Sequence, residues 1–112
     1  MAFDESLAER IRRAVKARRD ITERKMFGGL AFMAQGHLFI GVLGNTLMAR
    51  VGPDEYRAAL TLPHVREMDF TGKPMKGYVF VAPEACEAAA DLQRWVGKCL
   101  QFVDSLPRKK TK

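Results

Sequence analysis

Three short apolar runs separated by tight turns occupy the segment from Met26 to Val51, and this pattern constrains the fold more than any other feature of the chain. Gln35-Gly36 divides the first run from the second, and Gly44-Asn45 divides the second from the third. Glycine adopts a positive φ at little cost, and such dipeptides are typical of two-residue hairpin turns. Gly52-Pro53 ends the third run, because proline cannot donate to a ladder of hydrogen bonds. The segment therefore predicts a three-stranded antiparallel meander.

Both faces of this predicted meander are apolar. Side chains alternate across a strand, so Leu38, Ile40 and Val42 are predicted to share one face of the second strand. The opposite face then carries Phe39 and Leu43. A sheet with one solvated face would show polar residues at every second position. We therefore expect cover on both sides, from helices on one face and from helices or a second subunit on the other.

Helical patterns flank the meander. Residues 4–19 repeat apolar side chains with a 3.6-residue period, and the opposite side of this first helix is basic. Pro53 and Pro83 each precede acidic residues, which is typical of the first turn of a helix. The helix predicted to open at 82–84 carries the largest apolar stripe in the chain, which we expect to pack on the sheet. This stripe consists of Leu92, Trp95, Val96, Cys99, Phe102, Val103 and Leu106.

The remaining segments complete the predicted order of elements. Residues 20–25 are interpreted as a connection into the sheet, and two further strands are predicted at 65–70 and 78–81. The resulting order is α-β-β-β-α-β-β-α, an α+β two-layer sandwich in which the N- and C-terminal helices pack on an antiparallel sheet. A chain of 112 residues has the size of one domain. We expect this domain to span residues 1–107, with a basic disordered tail at 108–112.

Basic charge is concentrated at the two ends of the chain. Residues 1–25 contain eight Lys or Arg against five Asp or Glu, and residues 108–112 contain four basic side chains. Residues 26–107 contain seven basic and eight acidic side chains, so the sheet is close to neutral. The basic ends are compatible with a nucleic-acid surface, and equally with a solvated helix face followed by a polar tail.

The sequence shows no reactive constellation. Cys86 and Cys99 are 13 residues apart on one predicted helix, which places them about 20 Å apart, too far for a disulfide. His37 and His64 stand alone, with no second ligand or nucleophile near them in the sequence. We therefore expect no catalytic residue, no metal and no cofactor, and a protein that is not an enzyme.

The sequence also carries no membrane or export signal. No apolar run reaches the roughly 20 residues that a membrane helix needs. The N-terminus has acidic side chains where a signal peptide has basic ones, and it has no apolar stretch behind them. We expect a cytoplasmic protein that does not associate with membranes.

One group of cationic and aromatic side chains is a candidate binding site. Lys73 and Lys76 lie in the loop between the last two predicted strands, Tyr78 begins the final strand, and Arg50 lies near the end of the third. These four residues are predicted to contact an anion or a partner. The alternative is a polar loop that covers one end of the sheet.

Several stretches, taken in order along the chain, resemble the N-terminal domain of the TfoX (Sxy) family. They are Arg24 to Gly29, Leu47 to Tyr56, Asp69 to Gly77, and Trp95-Val96 in the last helix. The resemblance covers roughly residues 5–107. It implies that the chain is a stand-alone copy of that domain. It implies a two-layer α+β fold similar to that of secretion chaperones, an association with the regulation of natural competence, and no catalytic residues.

Taken together, these features predict a non-enzymatic regulatory or interaction module that acts through protein–protein contacts in transcriptional regulation. Two alternatives stay open. One is a nucleic-acid-binding protein that uses the basic N-terminal helix and tail, and the other is a small-ligand-binding domain. The apolar sheet faces further predict a homodimer, since two-fold pairing of identical patches is a common way to bury exposed apolar surface.

Overall fold

The structure is a computed structural model that describes residues 4–26, 28–68 and 76–106. This part of the chain forms three α-helices and six β-strands. The helices are α1 (Glu5–Ala14), α2 (Pro53–Leu60) and α3 (Ala89–Asp104), and the strands are β1 (Ile21–Met26), β2 (Gly29–Ala34), β3 (His37–Leu43), β4 (Thr46–Arg50), β5 (Val65–Glu67) and β6 (Tyr78–Val81). A 3₁₀ turn, Pro83–Ala85, precedes α3.

The strands form a single sheet in the order β1-β2-β3-β4-β6-β5, and every neighbouring pair is antiparallel. Helices α1 and α3 contact each other and pack on the same sheet, while α2 contacts β5 and β6. This arrangement confirms the predicted α+β class, with helices at both ends of the chain. The predicted tail, 108–112, lies outside the described residues.

Strand β1 is the element that the sequence pattern does not reveal. The interpretation of residues 20–25 as a connection is wrong, because Ile21–Met26 pairs along its whole length with β2. The segment lies at one edge of the sheet, and Glu23, Arg24 and Lys25 are all exposed. Charged side chains on an edge strand discourage pairing with other chains. They also remove the apolar alternation by which strands are predicted.

A β-bulge in β3 changes which side chains share a face. Phe32 pairs with Ile40 while Met33 pairs with Leu38, so Phe39 is an extra residue between the two pairs. Phe39 packs with Ile40 in the core beneath the helices and is fully buried, whereas Leu38 packs on the other side of the sheet. The predicted alternation, with Leu38 beside Ile40 and Phe39 opposite, is therefore wrong at these two positions.

The two faces of the sheet differ in the elements that cover them. The inner face carries the main core, which packs against α1, α2 and α3; its strand residues include Leu30, Phe32, Phe39, Ile40, Val42, Leu47, Ala49, Val79 and Val81. The outer face carries a smaller buried cluster of Met48, Met68 and Phe80, with Leu38, Leu43 and Tyr78 half-buried around it. Both faces are apolar, as the sequence predicts.

Helix α3 begins later than its sequence suggests. Pro83 opens the 3₁₀ turn instead of the helix, and the first residue of α3 is Ala89. Cys86 ends that turn, so the prediction that both cysteines lie on one helix is wrong. The predicted stripe is buried at Leu92, Trp95, Val96, Cys99 and Val103, while Phe102 and Leu106 are half-buried.

Helix α1 is capped by Asp4, whose carboxylate accepts hydrogen bonds from the backbone N–H groups of Ser6 and Leu7. It ends at Ala14, five residues earlier than predicted. The chain then turns, and Arg18 donates to the carboxylates of Asp20 and Asp104, with shortest distances of 2.6 Å and 2.9 Å. This arginine joins the end of α1 to the start of β1 and the end of α3.

Gly29 shows why a glycine stands at the start of β2. A Cβ atom built at this position would lie 2.2 Å from the backbone oxygen of Val42 and 2.8 Å from a side-chain carbon of Leu43. The backbone of Val42 therefore comes close to this glycine. The glycine allows β2 and β3 to approach closely at this end of the pairing.

Candidate functional site

The structure brings two of the four predicted binding residues together. Arg50 and Tyr78 are direct partners in the pairing of β4 with β6. The guanidinium carbon of Arg50 lies 5.4 Å from the centre of the Tyr78 ring and 5.3 Å from that of Phe102, within the range of a cation–π contact. The same guanidinium donates to the carbonyl oxygen of Leu38 at 3.2 Å. Arg50 thus joins the sheet to the end of α3.

The backbone around Arg50 is tightly packed. The N–H groups of Val51 and Gly52 donate to the carbonyl oxygen of Gly77 at 2.8 Å and 3.1 Å. Gly52 has a φ of +89°, and a Cβ there would lie 2.4 Å from a ring carbon of Phe102. Lys76 is exposed beside Gly77. Lys73, the fourth predicted residue, lies outside the described residues.

The two cysteines are buried thiols with raised pKa values. Burial raises the pKa of the Cys99 thiol to about 12, although the backbone of Arg50 donates a hydrogen bond that acts in the opposite direction. Burial also raises the pKa of Cys86. A thiol is nucleophilic as the thiolate, so a raised pKa disfavours the reactive form of both sulfur atoms. Both are free thiols, and both are buried.

A cavity of about 360 Å³ opens at the surface between α3, the 3₁₀ turn and the segment that connects α2 to β5. We call it the Trp95 groove. It is lined by Leu62, Pro63, His64, Glu84, Ala85, Asp91, Arg94, Trp95 and Lys98. Cavities of this size hold small ligands or single side chains of a partner.

The apolar part of the Trp95 groove combines a core residue with an exposed one. Trp95 is 6% exposed and belongs to the inner-face core. Leu62 is 42% exposed, and within the described part of the chain it is the large apolar side chain that remains in solvent. Trp95 therefore forms a rigid floor, and Leu62 forms an accessible wall.

One wall of the groove is held by a residue with unusual backbone geometry. His64 has a φ of +65°, a left-handed conformation that few residues other than glycine adopt. Its carbonyl oxygen accepts a hydrogen bond from the N–H of Ala82 at 2.8 Å. This bond ties the connection to the end of β6 and keeps Leu62 and Pro63 beside α3.

Most of the charges around the groove are already paired. Asp91 and Arg94 form an ion pair of 3.4 Å within α3, and Lys98 lies 3.8 Å from Glu55 of α2 and 5.9 Å from the centre of the Trp95 ring. Glu84 differs from them. It is exposed and makes no ion pair or side-chain hydrogen bond with the residues that the structure describes.

Two basic side chains of α1, Arg10 and Arg12, are already bound to other groups of the chain. Arg12 forms a two-bond contact with Glu23, at 2.7 Å and 2.8 Å, and Arg10 donates to the carbonyl oxygens of Cys86 and Glu87. Arg12 also approaches Glu9. On α1 and in the turn that follows it, Arg13, Lys16 and Arg19 are exposed and form no ion pair with the described residues.

Two further properties concern the described residues only. They contain no group of three or more His, Cys, Asp or Glu side chains that could hold a metal ion. None of their helices combines the length and apolar character that a membrane-spanning helix requires.

The fold and the surface groove define a class: a small α+β domain with a surface cavity. The comparison with protein families is more specific. A family model described as the TfoX N-terminal domain matches residues 5–103. The chain therefore belongs to the TfoX N-terminal domain family, as the resemblance in its sequence predicts. No curated protein and no solved structure matches it.

The Trp95 groove is the feature that sequence reasoning misses. The sequence predicts correctly that Trp95 is a core residue. Nothing in the sequence shows that Trp95 also borders a cavity. Its lining comes from three separate segments, 62–64, 84–85 and 91–98. A weak signal does exist, because Leu62 interrupts a polar connection and charged side chains adjoin Trp95 along the helix.

Proposed function

We propose that this protein is a non-enzymatic regulatory module that acts in the cytoplasm through protein–protein contacts in transcriptional regulation. The observation that carries the proposal is the family match, which spans residues 5–103 and so nearly the whole chain. The regulation of natural competence, implied by the resemblance to TfoX, is the first process in which to test it.

The geometry supports a contact function at the Trp95 groove. Tryptophan is enriched among the residues that dominate binding energy at protein interfaces. Here a rigid tryptophan adjoins an exposed leucine in a concave surface bordered by charged side chains. A groove of this kind offers a partner an apolar anchor point and a polar rim, as known interfaces do.

The test compares transcript levels in the native host with and without the gene, together with crosslinking of a tagged copy. We expect a defined set of transcripts to change, and we expect RNA polymerase or a DNA-bound regulator among the crosslinked proteins. Reintroducing the wild-type gene controls for secondary effects of the deletion. Transcript levels that stay the same during ordinary growth and under competence-inducing conditions would contradict the proposal.

We also propose that two copies of the chain pair through the outer face. Met33, Leu38 and Leu43 are half-buried there, next to the cluster around Met48. Light scattering over a dilution series should give about twice the 12.6 kDa mass of one chain. Leu43→Lys should shift the mass to that of one chain, whereas Leu62→Lys, which lies away from this face, should not. A single-chain mass at every concentration would exclude the dimer.

A second candidate function, nucleic-acid binding, is supported by the exposed cations Arg13, Lys16 and Arg19 on α1 and just after it. If these residues neutralise phosphates, replacing all three with Gln should weaken binding to duplex DNA. The salt dependence should also fall, by roughly one unit of slope for each phosphate that is no longer neutralised. Arg94→Gln removes an exposed cation elsewhere and serves as the control. Equal salt slopes for the wild type and the triple variant would rule out this surface.

A further inference from the structure

Most of the charged side chains that line the Trp95 groove form ion pairs within the chain, but one does not. Arg94 lies 3.4 Å from Asp91, and Lys98 lies 3.8 Å from Glu55. Each of these groove cations thus has an anionic neighbour within the chain. Glu84 forms no ion pair with the described residues, although it lies on the same rim. Of the four charged side chains on this rim, the one without an ion pair in the described region is therefore acidic.

This free carboxylate lies beside the apolar part of the groove. Glu84 belongs to the 3₁₀ turn, next to Ala85, and both line the cavity together with Leu62 and Trp95. An apolar group resting on Trp95 would place its neighbours close to that carboxylate. Complementary charge near an apolar contact selects the partner and fixes its orientation.

We propose that the Trp95 groove binds a short segment of a partner protein in which a leucine-sized apolar side chain stands next to a lysine or arginine. The apolar side chain packs between Leu62 and Trp95, and the cation pairs with Glu84. The cavity volume, about 360 Å³, accommodates one anchoring side chain and its neighbour, and is too small for a complete helix face.

This inference rests on the proposed function only in that the partner is a protein. The two proposals fail separately. The regulatory role is judged by transcript levels in the host, whereas the groove is judged by binding to purified protein. If the protein regulates transcription in the host but does not bind short peptides at this groove, its contact surface lies elsewhere.

Trp95 is the single tryptophan of the chain, so its fluorescence and the NMR signal of its indole N–H report directly on the groove. The probes are three tetrapeptides with acetylated and amidated ends: Ser-Leu-Lys-Ser, the charge-reversed Ser-Leu-Glu-Ser, and Ser-Gln-Lys-Ser without the apolar anchor. We expect Ser-Leu-Lys-Ser to give a saturable change within a titration to about 5 mM, a range that suits a contact of this small size. The other two should bind at least several-fold more weakly.

Variants of the rim test the assignment of each contact. Glu84→Gln should weaken binding of Ser-Leu-Lys-Ser about two- to fivefold, the range of an exposed ion pair. Leu62→Ser should weaken it about tenfold, because the anchor loses an apolar wall. Glu84→Lys should reverse the preference, so that Ser-Leu-Glu-Ser binds better. Glu87→Gln removes a carboxylate that borders the neighbouring cavity and should change nothing.

Several results would overturn the inference. One is the absence of any change at Trp95 with all three peptides while the melting temperature shows intact protein. Another is binding that Glu84→Gln, Glu84→Lys and Leu62→Ser leave unaltered. A concentration-dependent Trp95 signal in free protein would place a second copy in the groove. A changed signal after deletion of residues 108–112 would place the chain's own basic end there.

Discussion

The inner and outer faces of the sheet are both apolar, but different groups cover them. The inner face is apolar and lies beneath helices, and Phe32, Phe39 and Ile40 are fully buried there. On the outer face, arginine side chains lie over aromatic rings, with the guanidinium carbon of Arg66 4.6 Å from the Phe80 ring centre and that of Arg50 5.4 Å from the Tyr78 ring centre. The first face is covered by other elements, while the described part of the second is covered largely by its own side chains.

The difference teaches how a sheet with two apolar faces can use one helical layer. Methionine is flexible and polarizable, and the carbon stem of arginine covers apolar surface while its charge stays in water. Both residue types occur on the outer face and are rare in the inner core. We therefore expect the inner face to be rigid and sensitive to mutation, and the outer face to be more tolerant.

The largest effect is expected for Phe39→Ala on the inner face. Removing a fully buried phenylalanine should lower the free energy of unfolding by about 3–5 kcal/mol. Phe102→Ala is the matched control, because truncating this half-buried ring should cost less than truncating a fully buried one. Urea denaturation measures both. Equal losses would mean that burial by the helical layer does not distinguish the two rings.

A smaller loss is expected for the outer-face variant Met48→Ala. This buried methionine should cost about 2 kcal/mol, at the low end for methionine truncation, because its flexible neighbour Met68 can move into the space. Met33→Ala, at a half-buried site on the same face, is the control and should cost less. If Met48→Ala were as damaging as Phe39→Ala, the two faces would be equally rigid.

A pH-dependent effect is expected where the helical layer meets β1. The guanidinium of Arg18 lowers the pKa of Asp20 from 3.8 to about 2, so the folded state binds that proton less readily than the unfolded chain. The resulting stabilisation is complete above about pH 4 and is lost as the pH falls toward 2. Arg18→Ala should cost about 1 kcal/mol at pH 7, and its difference from wild type should shrink between pH 4 and pH 2.

The control for this experiment is the neighbouring arginine. Arg19→Ala removes an exposed cation that has no ion pair in the described region, and it should leave both the stability and its pH dependence unchanged. A constant difference between wild type and Arg18→Ala across the whole pH range would show that the contacts of Arg18 are not carried by ionised carboxylates.

The smallest effect is expected for Arg66→Gln on the outer face. The contact between the guanidinium and the Phe80 ring is exposed on one side, so its loss should cost about 0.5 kcal/mol. A double-mutant cycle with Phe80→Leu isolates this interaction from the loss of the ring itself. A coupling energy indistinguishable from zero would show that Arg66 covers the ring without stabilising the fold.

Strands and helices whose apolar residues recur at a regular spacing could be predicted from the sequence. The runs of β2, β3, β4 and β6 and the stripe of α3 are all of this kind. Strand β1 could not be, because an edge strand has no need of buried side chains and Glu23, Arg24 and Lys25 are exposed. The start of α3 could not be either, since a proline followed by acidic residues suits a 3₁₀ turn as well as an α-helix.

The candidate sites divide in the same way. Arg50 and Tyr78 were predictable neighbours, because each lies at a strand end and adjacent antiparallel strands bring such ends together. The Trp95 groove was not predictable, because its walls come from segments that are distant in the chain and meet only when α3 packs beside the connection that precedes β5.

The sequence alone determined the α+β class, the two apolar sheet faces, the buried stripe of the last helix and the resemblance to the TfoX family. These properties depend on local periodicity and on the residues of tight turns, and both are visible in short stretches of the sequence. Only the tertiary structure decided the bulge that turns Phe39 inward, the pairing of β1, and the convergence of Leu62, Glu84 and Trp95 on one groove. Each of these depends on contacts between distant segments, and such contacts leave no periodic trace in the chain.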